Sequence, residues 1–135
     1  LIVSAAHTDS SLPTLKIPGV HLSLAPDFTL LRRAVEAAEA SGAKYHVGPI
    51  LTSDYFYVDR GELVMDLLTQ YGTLGVEMEA ASLYAVAAAE GGKALTVLTV
   101  SDHLVDSSQD LTAEERETCF GEMVRIAADA MIALG

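Results

Sequence analysis

The sequence predicts a layered α/β domain, a sheet sandwiched between helices, and three observations carry that expectation. Short apolar runs alternate with amphipathic stretches in the order strand, helix, strand, helix, strand, helix, strand, helix. Residues 93–101 are apolar almost without interruption, the pattern of a strand covered on both faces in a parallel or mixed sheet. Helix start and stop residues border the amphipathic stretches, with Asp27 and Thr112 at two starts and Gly42 and Gly72 at two ends. At 135 residues the chain suits one domain, 1–135, with no repeat, low-complexity tract or linker.

Residues 1–6, Leu-Ile-Val-Ser-Ala-Ala, read as a core strand already under way, so the native start is expected upstream of Leu1. A polar turn at 7–11 and a stretch holding Pro13, Pro18, Gly19 and Pro26 read as loop with a short extended piece. Asp27 then caps a helix whose Leu31, Ala34, Val35 and Ala38 follow the i, i+3, i+4, i+7 spacing of one buried face, and Gly42 stops it. Residues 44–52 read as a strand, and 61–71 as a short helix with Leu63, Val64, Leu67 and Leu68 inward. A strand at 74–78 runs directly into an Ala-rich helix, 79–90, which is apolar nearly all round and is therefore expected to be buried. Residues 93–101 supply the central strand. The last helix opens on Thr112-Ala113-Glu114-Glu115, a capping box, and runs towards Leu134 with Phe120, Met123, Val124, Ala127, Ala130, Met131 and Leu134 inward.

A net charge of −11 with eight scattered cations argues against a polyanionic partner such as nucleic acid, and leaves small anions only where a few cations converge. No apolar stretch reaches the roughly 20 residues that span a bilayer, and no cationic segment precedes an apolar one at the start. With a single cysteine, Cys119, expected as a buried, inert thiol, a reducing cytoplasm is the expected compartment.

Candidate site residues come from three strand ends, which in open α/β sheets converge on one crevice. Thr52-Ser53-Asp54-Tyr55-Phe56-Tyr57 sets aromatics beside small polar groups, suited either to stacking on a flat ring or to covering the core. In Val76-Glu77-Met78-Glu79-Ala80-Ala81, Glu77 and Glu79 share one side of the strand end. Glu79 at the helix start could grip a vicinal diol, since an ionised carboxylate only accepts, or could merely cap the helix amides. Ser101-Asp102-His103 is not a serine-type triad, because successive side chains leaving a strand alternate in direction. Asp102, His103 and Asp106 match no metal-ligand spacing, so no metal is expected. Arg116, one turn before Phe120, is expected to face the core and to need a carboxylate, with Asp102, Asp106 and Asp110 all within reach. Such a pair serves a site or anchors the helix.

These motifs, taken together with Thr8-Asp9-Ser10, Gly61-Glu62 and the stretch from Thr112 to Phe120, resemble the bacterial, hexameric type of purine nucleoside phosphorylase in order and spacing. The likeness covers essentially the whole chain and corresponds to the C-terminal part of that family. It implies a three-layer fold with a mixed central sheet, here lacking N-terminal strands, and phosphorolysis of purine (2′-deoxy)ribonucleosides to free base and pentose 1-phosphate. Carried over by position, Asp102 is the general acid that protonates purine N7 and Arg116 assists that transfer. Phe56 packs on the base, Val76 and Met78 line the nucleoside pocket together with Glu77, Glu79 binds the ribose hydroxyls, and Ser101 sits beside the base. Burial of Asp102 would favour its protonated form and Arg116 its ionised form, so the two influences oppose. Inorganic phosphate is the implied co-substrate with no further cofactor, and a homo-oligomer, a hexamer in the family, is the implied assembly. The family's Gly-rich phosphate loop and arginines are expected upstream of Leu1. A nucleosidase that uses water and a non-catalytic nucleoside-binding protein are the alternatives. A uridine phosphorylase fits less well, since an acidic Asp102 suits a purine ring nitrogen.

Overall fold

The computed structural model describes residues 1–11, 17–57, 61–104, 106–118 and 120–133. Pro13 in the first loop, the Cys119 thiol, the Leu63 side chain and Leu134 at the chain's end lie outside what is described. Three strands, β1 (Ile2–Thr8), β2 (Val47–Thr52) and β3 (Val76–Glu77), form a parallel sheet in the order β1-β2-β3. The register pairs Thr8 with Thr52 and Thr52 with Glu77, so all three strands finish at one edge. On its other side β1 meets two antiparallel bridges, Ile2 with Val97 and Ala6 with Leu24, which give the sheet its mixed character. The bridge at Leu24 is the short extended piece expected in the first loop.

Helices cover both faces because successive residues of β1 point opposite ways, with an irregularity in register between Val3 and Ala5 that brings Ala6 onto the face of Val3. Ile2 packs on one face with Ala34 and Ala38 of α1 (Phe28–Ser41) and with Ile126 and Ala130 of α5 (Phe120–Ile132). The small alanines let the two helices approach each other and the sheet. Val3, Ala6 and Ile50 pack on the opposite face against Ala80, Ala81 and Tyr84 of α3 (Ala80–Ala89). The result is the three-layer α/β arrangement that the sequence predicts.

Local signals act where they were read. The Leu30 N–H donates to Asp27 Oδ1 at the start of α1, and Gly42 closes it at φ 73° in the left-handed region that favours glycine. Thr112 and Glu115 form the capping box of α4 (Ala113–Thr118), with the Thr112 N–H donating to Glu115 Oε2 and the Glu115 N–H to Thr112 Oγ1. The Thr112 N–H, and the Thr112 hydroxyl donating to the same Oε2 at 2.9 Å, hold the Glu115 carboxyl below its usual range. Helix α2 (Gly61–Gln70) lies where expected, although Leu67 is exposed.

Four expectations need correction. Strands β2 and β3 are shorter than 44–52 and 74–78. Residues 93–100 are an edge run beside β1 rather than a central strand: the Val3 N–H donates to Thr96 O and the Leu98 N–H to Leu1 O. Continuous apolarity reports covered side chains but not how many strands flank them, and here residues 94–99 are only half-buried. Helix α3 buries Ala80, Ala81 and Tyr84, yet leaves Leu83 and Val86 47% and 50% exposed, because a helix without amphipathic contrast can bury any one stripe. Helix α5 buries Ile126 and Ala130, with Phe120, Val124 and Met131 outward, so its inward stripe is rotated from the expected one. Among the described residues, no helix is long and apolar enough to cross a membrane.

Candidate active site

At the shared edge of the three strands, hydroxyls and carboxylates interlock. Asp9, just past β1, accepts from Ser53 Oγ at 2.7 Å and from the Asp54 N–H at 2.9 Å, tying the ends of β1 and β2 together. Thr52, the buried last residue of β2, donates through Oγ1 to Glu77 Oε1 and accepts from the Ala81 N–H at 3.0 Å. Glu77 Oε2 accepts from the N–H groups of Glu79 and Ala80 at 2.8 and 2.7 Å. Three successive amides at the start of α3 are therefore held by the chain's own side chains.

That arrangement speaks against the capping reading of Glu79. The capping carboxylate is Glu77, while Glu79 occupies the N-cap position with no side-chain cap bond and is exposed to solvent. Beside them Val76 and Met78 are partly exposed, and Phe56 is 78% exposed on the segment after β2, its ring edge-on to Tyr57 at 5.0 Å. These aromatics do not cover the core. They stand open beside the strand ends.

A second cluster forms where residues 93–100 end. Asp102 Oδ1 accepts from Arg116 Nη2 at 2.6 Å and Oδ2 from Ser101 Oγ at 2.7 Å. The loop that brings Arg116 back is closed by the Leu111 N–H donating to Ser101 O at 2.8 Å, the His103 N–H to Asp110 Oδ1 at 2.6 Å, and Arg116 Nε to Leu111 O at 3.1 Å. Of the three candidate partners for Arg116, Asp102 makes the ion pair, while Asp110 braces the loop backbone and Asp106 accepts from Ser108. Among the described residues His103 Nδ1 has no partner, so the imidazole takes no part in the Ser101–Asp102 contact.

Two expectations about this cluster are corrected. Arg116 does not face the core: the Arg116 and Asp102 side chains are 46% and 49% exposed, since α4 precedes the stretch of α5 that packs on α1. The three strand ends do not all share an edge either. Residues 93–100 run antiparallel to β1, so Ser101 leaves the sheet on the side where β1 begins, opposite the ends of β2 and β3. Sequence reasoning also passed over Thr52, Ser53 and Asp9 as connected groups. The available signal was the polar Thr-Ser-Asp directly after an apolar strand.

A three-layer α/β domain with carboxylates and hydroxyls gathered at its strand ends has the form of a small-molecule site built beside a sheet. Within that class the chain belongs to the phosphorylase superfamily, whose family model matches residues 2–134. Among similar proteins, one from Oceanobacillus iheyensis named purine nucleoside phosphorylase DeoD-type is 42% identical over 132 residues, covering 98% of this chain and 56% of its own length. Proteins of the same name from Myxococcus xanthus and Bacillus cereus are 43% and 44% identical, covering 96% and 98% of this chain and 53% and 55% of their own lengths. The chain thus spans about half the length of the curated relatives it matches.

Proposed function

We propose that this protein catalyses phosphorolysis of purine (2′-deoxy)ribonucleosides to the free base and (deoxy)ribose 1-phosphate. One observation carries the reading: in a member of this superfamily, the Asp102 carboxylate stands between Ser101 Oγ and Arg116 Nη2. In the reaction, protonated Asp102 gives its proton to purine N7 as the bond from C1′ to N9 breaks, and a phosphate oxygen forms the new bond to C1′. The base leaves neutral, and Arg116 stabilises the carboxylate that remains.

Glu79, whose carboxylate makes no cap bond, accepts from the ribose hydroxyls, and Ser101 lies beside the base. Phe56, Val76, Glu77 and Met78 supply the walls. Phosphate is the co-substrate and no other cofactor takes part. The same reading includes a homo-oligomer, a hexamer as in the resembling family, working in the cytoplasm. Because Ser101 leaves the sheet on the side opposite the ends of β2 and β3, the reading requires the 101–111 loop to reach round to the corner between β3 and α3 so that both contact one nucleoside. An inosine complex must therefore show purine N7 within hydrogen-bond reach of Asp102 and the ribose diol within reach of Glu79.

The test follows hypoxanthine release from inosine with and without phosphate. Phosphate-dependent release that falls at least about 100-fold in Asp102→Asn supports the reading. Equal release without phosphate replaces it with hydrolysis by water, and inosine binding without release in phosphate replaces it with a binding protein. Full activity in Asp102→Asn removes the acid assignment.

A further inference from the structure

We infer that Thr52 is a positioning residue for nucleoside recognition, acting through Glu77 to set the place of Glu79; this rests on the ribose-binding reading of Glu79 above. Thr52 is 1% exposed, at the junction where β2 pairs with β1 through Thr8 and with β3 through Glu77. Its single hydroxyl is engaged in both senses, donating to Glu77 Oε1 and accepting from the Ala81 N–H. Glu77 in turn holds the N–H groups of Glu79 and Ala80. The Ser53 N–H donates to Glu77 O at 2.9 Å, fixing the backbone just before Glu79 from β2 as well.

Glu79 is therefore bracketed on both sides by bonds that converge on Glu77 and Thr52, while its own carboxylate makes no cap bond. Fixing the backbone sets the direction in which the Glu79 side chain leaves the chain and so the volume its carboxylate can reach, and misplacement of a gripping group by about 1 Å is enough to weaken recognition strongly. Thr52 needs no contact with the ligand to matter. Valine in its place keeps the shape and the strand preference but supplies neither donor nor acceptor, freeing Glu77 Oε1 and leaving the Ala81 N–H without its acceptor.

The experiment measures equilibrium binding of inosine, 2′,3′-dideoxyinosine and hypoxanthine to the full chain without phosphate. Thr52→Val is expected to weaken inosine about tenfold or more, with the two ligands that lack the diol within about twofold of their original affinities. Thr52→Ser, which restores the hydroxyl, is expected to recover inosine binding. Glu79→Gln is the control for the reading beneath the inference. If it leaves inosine binding unchanged, the ribose assignment falls and the inference with it. If Glu79→Gln weakens inosine but Thr52→Val does not, or Thr52→Val weakens all three ligands alike, or serine fails to rescue, the positioning role alone is overturned. Should Thr52→Val not fold, Thr52→Ala removes the same hydroxyl without the branched side chain, and the same diol-selective loss is expected. An equal loss for all three ligands, or no loss, then overturns the inference.

Discussion

Replacing Arg116 with alanine separates a helix anchor from a group that serves the reaction. The guanidinium makes a charged bond to Asp102 Oδ1 at 2.6 Å and a bond to Leu111 O at 3.1 Å, and both members of the ion pair are about half in solvent. Ion pairs so exposed contribute about 0.2–1 kcal/mol. A bond to a partly exposed carbonyl adds about 0.5–1.5 kcal/mol. The variant is thus expected to lose about 1–2 kcal/mol, against a total of about 5–15 kcal/mol for a domain of this kind. It stays folded. Loss of a cation that assists proton transfer lowers turnover far more, about 100-fold, with KM for inosine within about threefold because the interaction strengthens in the transition state. Urea unfolding and phosphate-dependent base release from the same preparation measure both quantities. A stability loss above about 3 kcal/mol with kcat unchanged would show that the pair anchors the helix. A raised KM at unchanged kcat would show that it only binds.

Three further outcomes follow from the packing and the titrating groups. Ile50→Ala removes three carbons from a side chain with no exposed surface between β1 and α3; about 0.8 kcal/mol per carbon plus the cavity left behind gives a loss of about 3–4 kcal/mol in denaturant unfolding. Burial, the largest influence, raises the Tyr84 phenol above its ordinary 10.0, so the stability it contributes is fully present below that value and is lost as pH rises through the folded value. Tyr84→Phe should flatten the alkaline fall in stability, and an unchanged fall would count against that assignment. Glu115 has the opposite sign: its carboxyl is held below the ordinary 4.5 by the Thr112 backbone and hydroxyl, so its contribution is present above 4.5 and is lost as pH falls through the folded value. Being exposed, it acts weakly, and Glu115→Gln should reduce the acid slope of the unfolding midpoint without shifting the neutral value much.

What could be read from the sequence was what is local. Asp27, Gly42 and the pair Thr112–Glu115 act within one helical turn, and each does what its position dictates. The ion pair from Arg116 to Asp102 was also within reach, since a short loop limits the partners a cation can find. Strand direction was not legible, because the apolar run at 93–100 reads alike beside a parallel or an antiparallel neighbour. Depth of burial was not legible either. The spacing in α5 names residues that share a stripe, whereas the approach of α1 decides which stripe is covered, and that brought Ile126 inward and left Val124 outside. Thr52, Ser53 and Asp9 were in view as motif residues, but their connections were not, because the partners lie 25, 44 and 45 residues away, distances at which no local pattern operates.

The division of labour between Glu77 and Glu79 shows what the fold adds to a motif. By spacing the two carboxylates are equivalent, and each could meet the positive start of α3. Once Glu77 takes the amides of residues 79 and 80, and Thr52 that of residue 81, the usual anion-binding face of a helix start is closed at those three amides. An incoming phosphate would meet two carboxylates instead of free donors. Glu79 has the reverse need: its carboxylate makes no cap bond, and it seeks donors from solvent or ligand. A vicinal diol brings two donors and no charge. The corner between β3 and α3 thus suits a neutral diol better than a phosphate, and under the proposed function the phosphate must be held by cations elsewhere. Raising phosphate in a binding assay should accordingly leave the affinity for 2′,3′-dideoxyinosine relative to inosine unchanged, and direct competition between phosphate and the ribose diol would contradict this division.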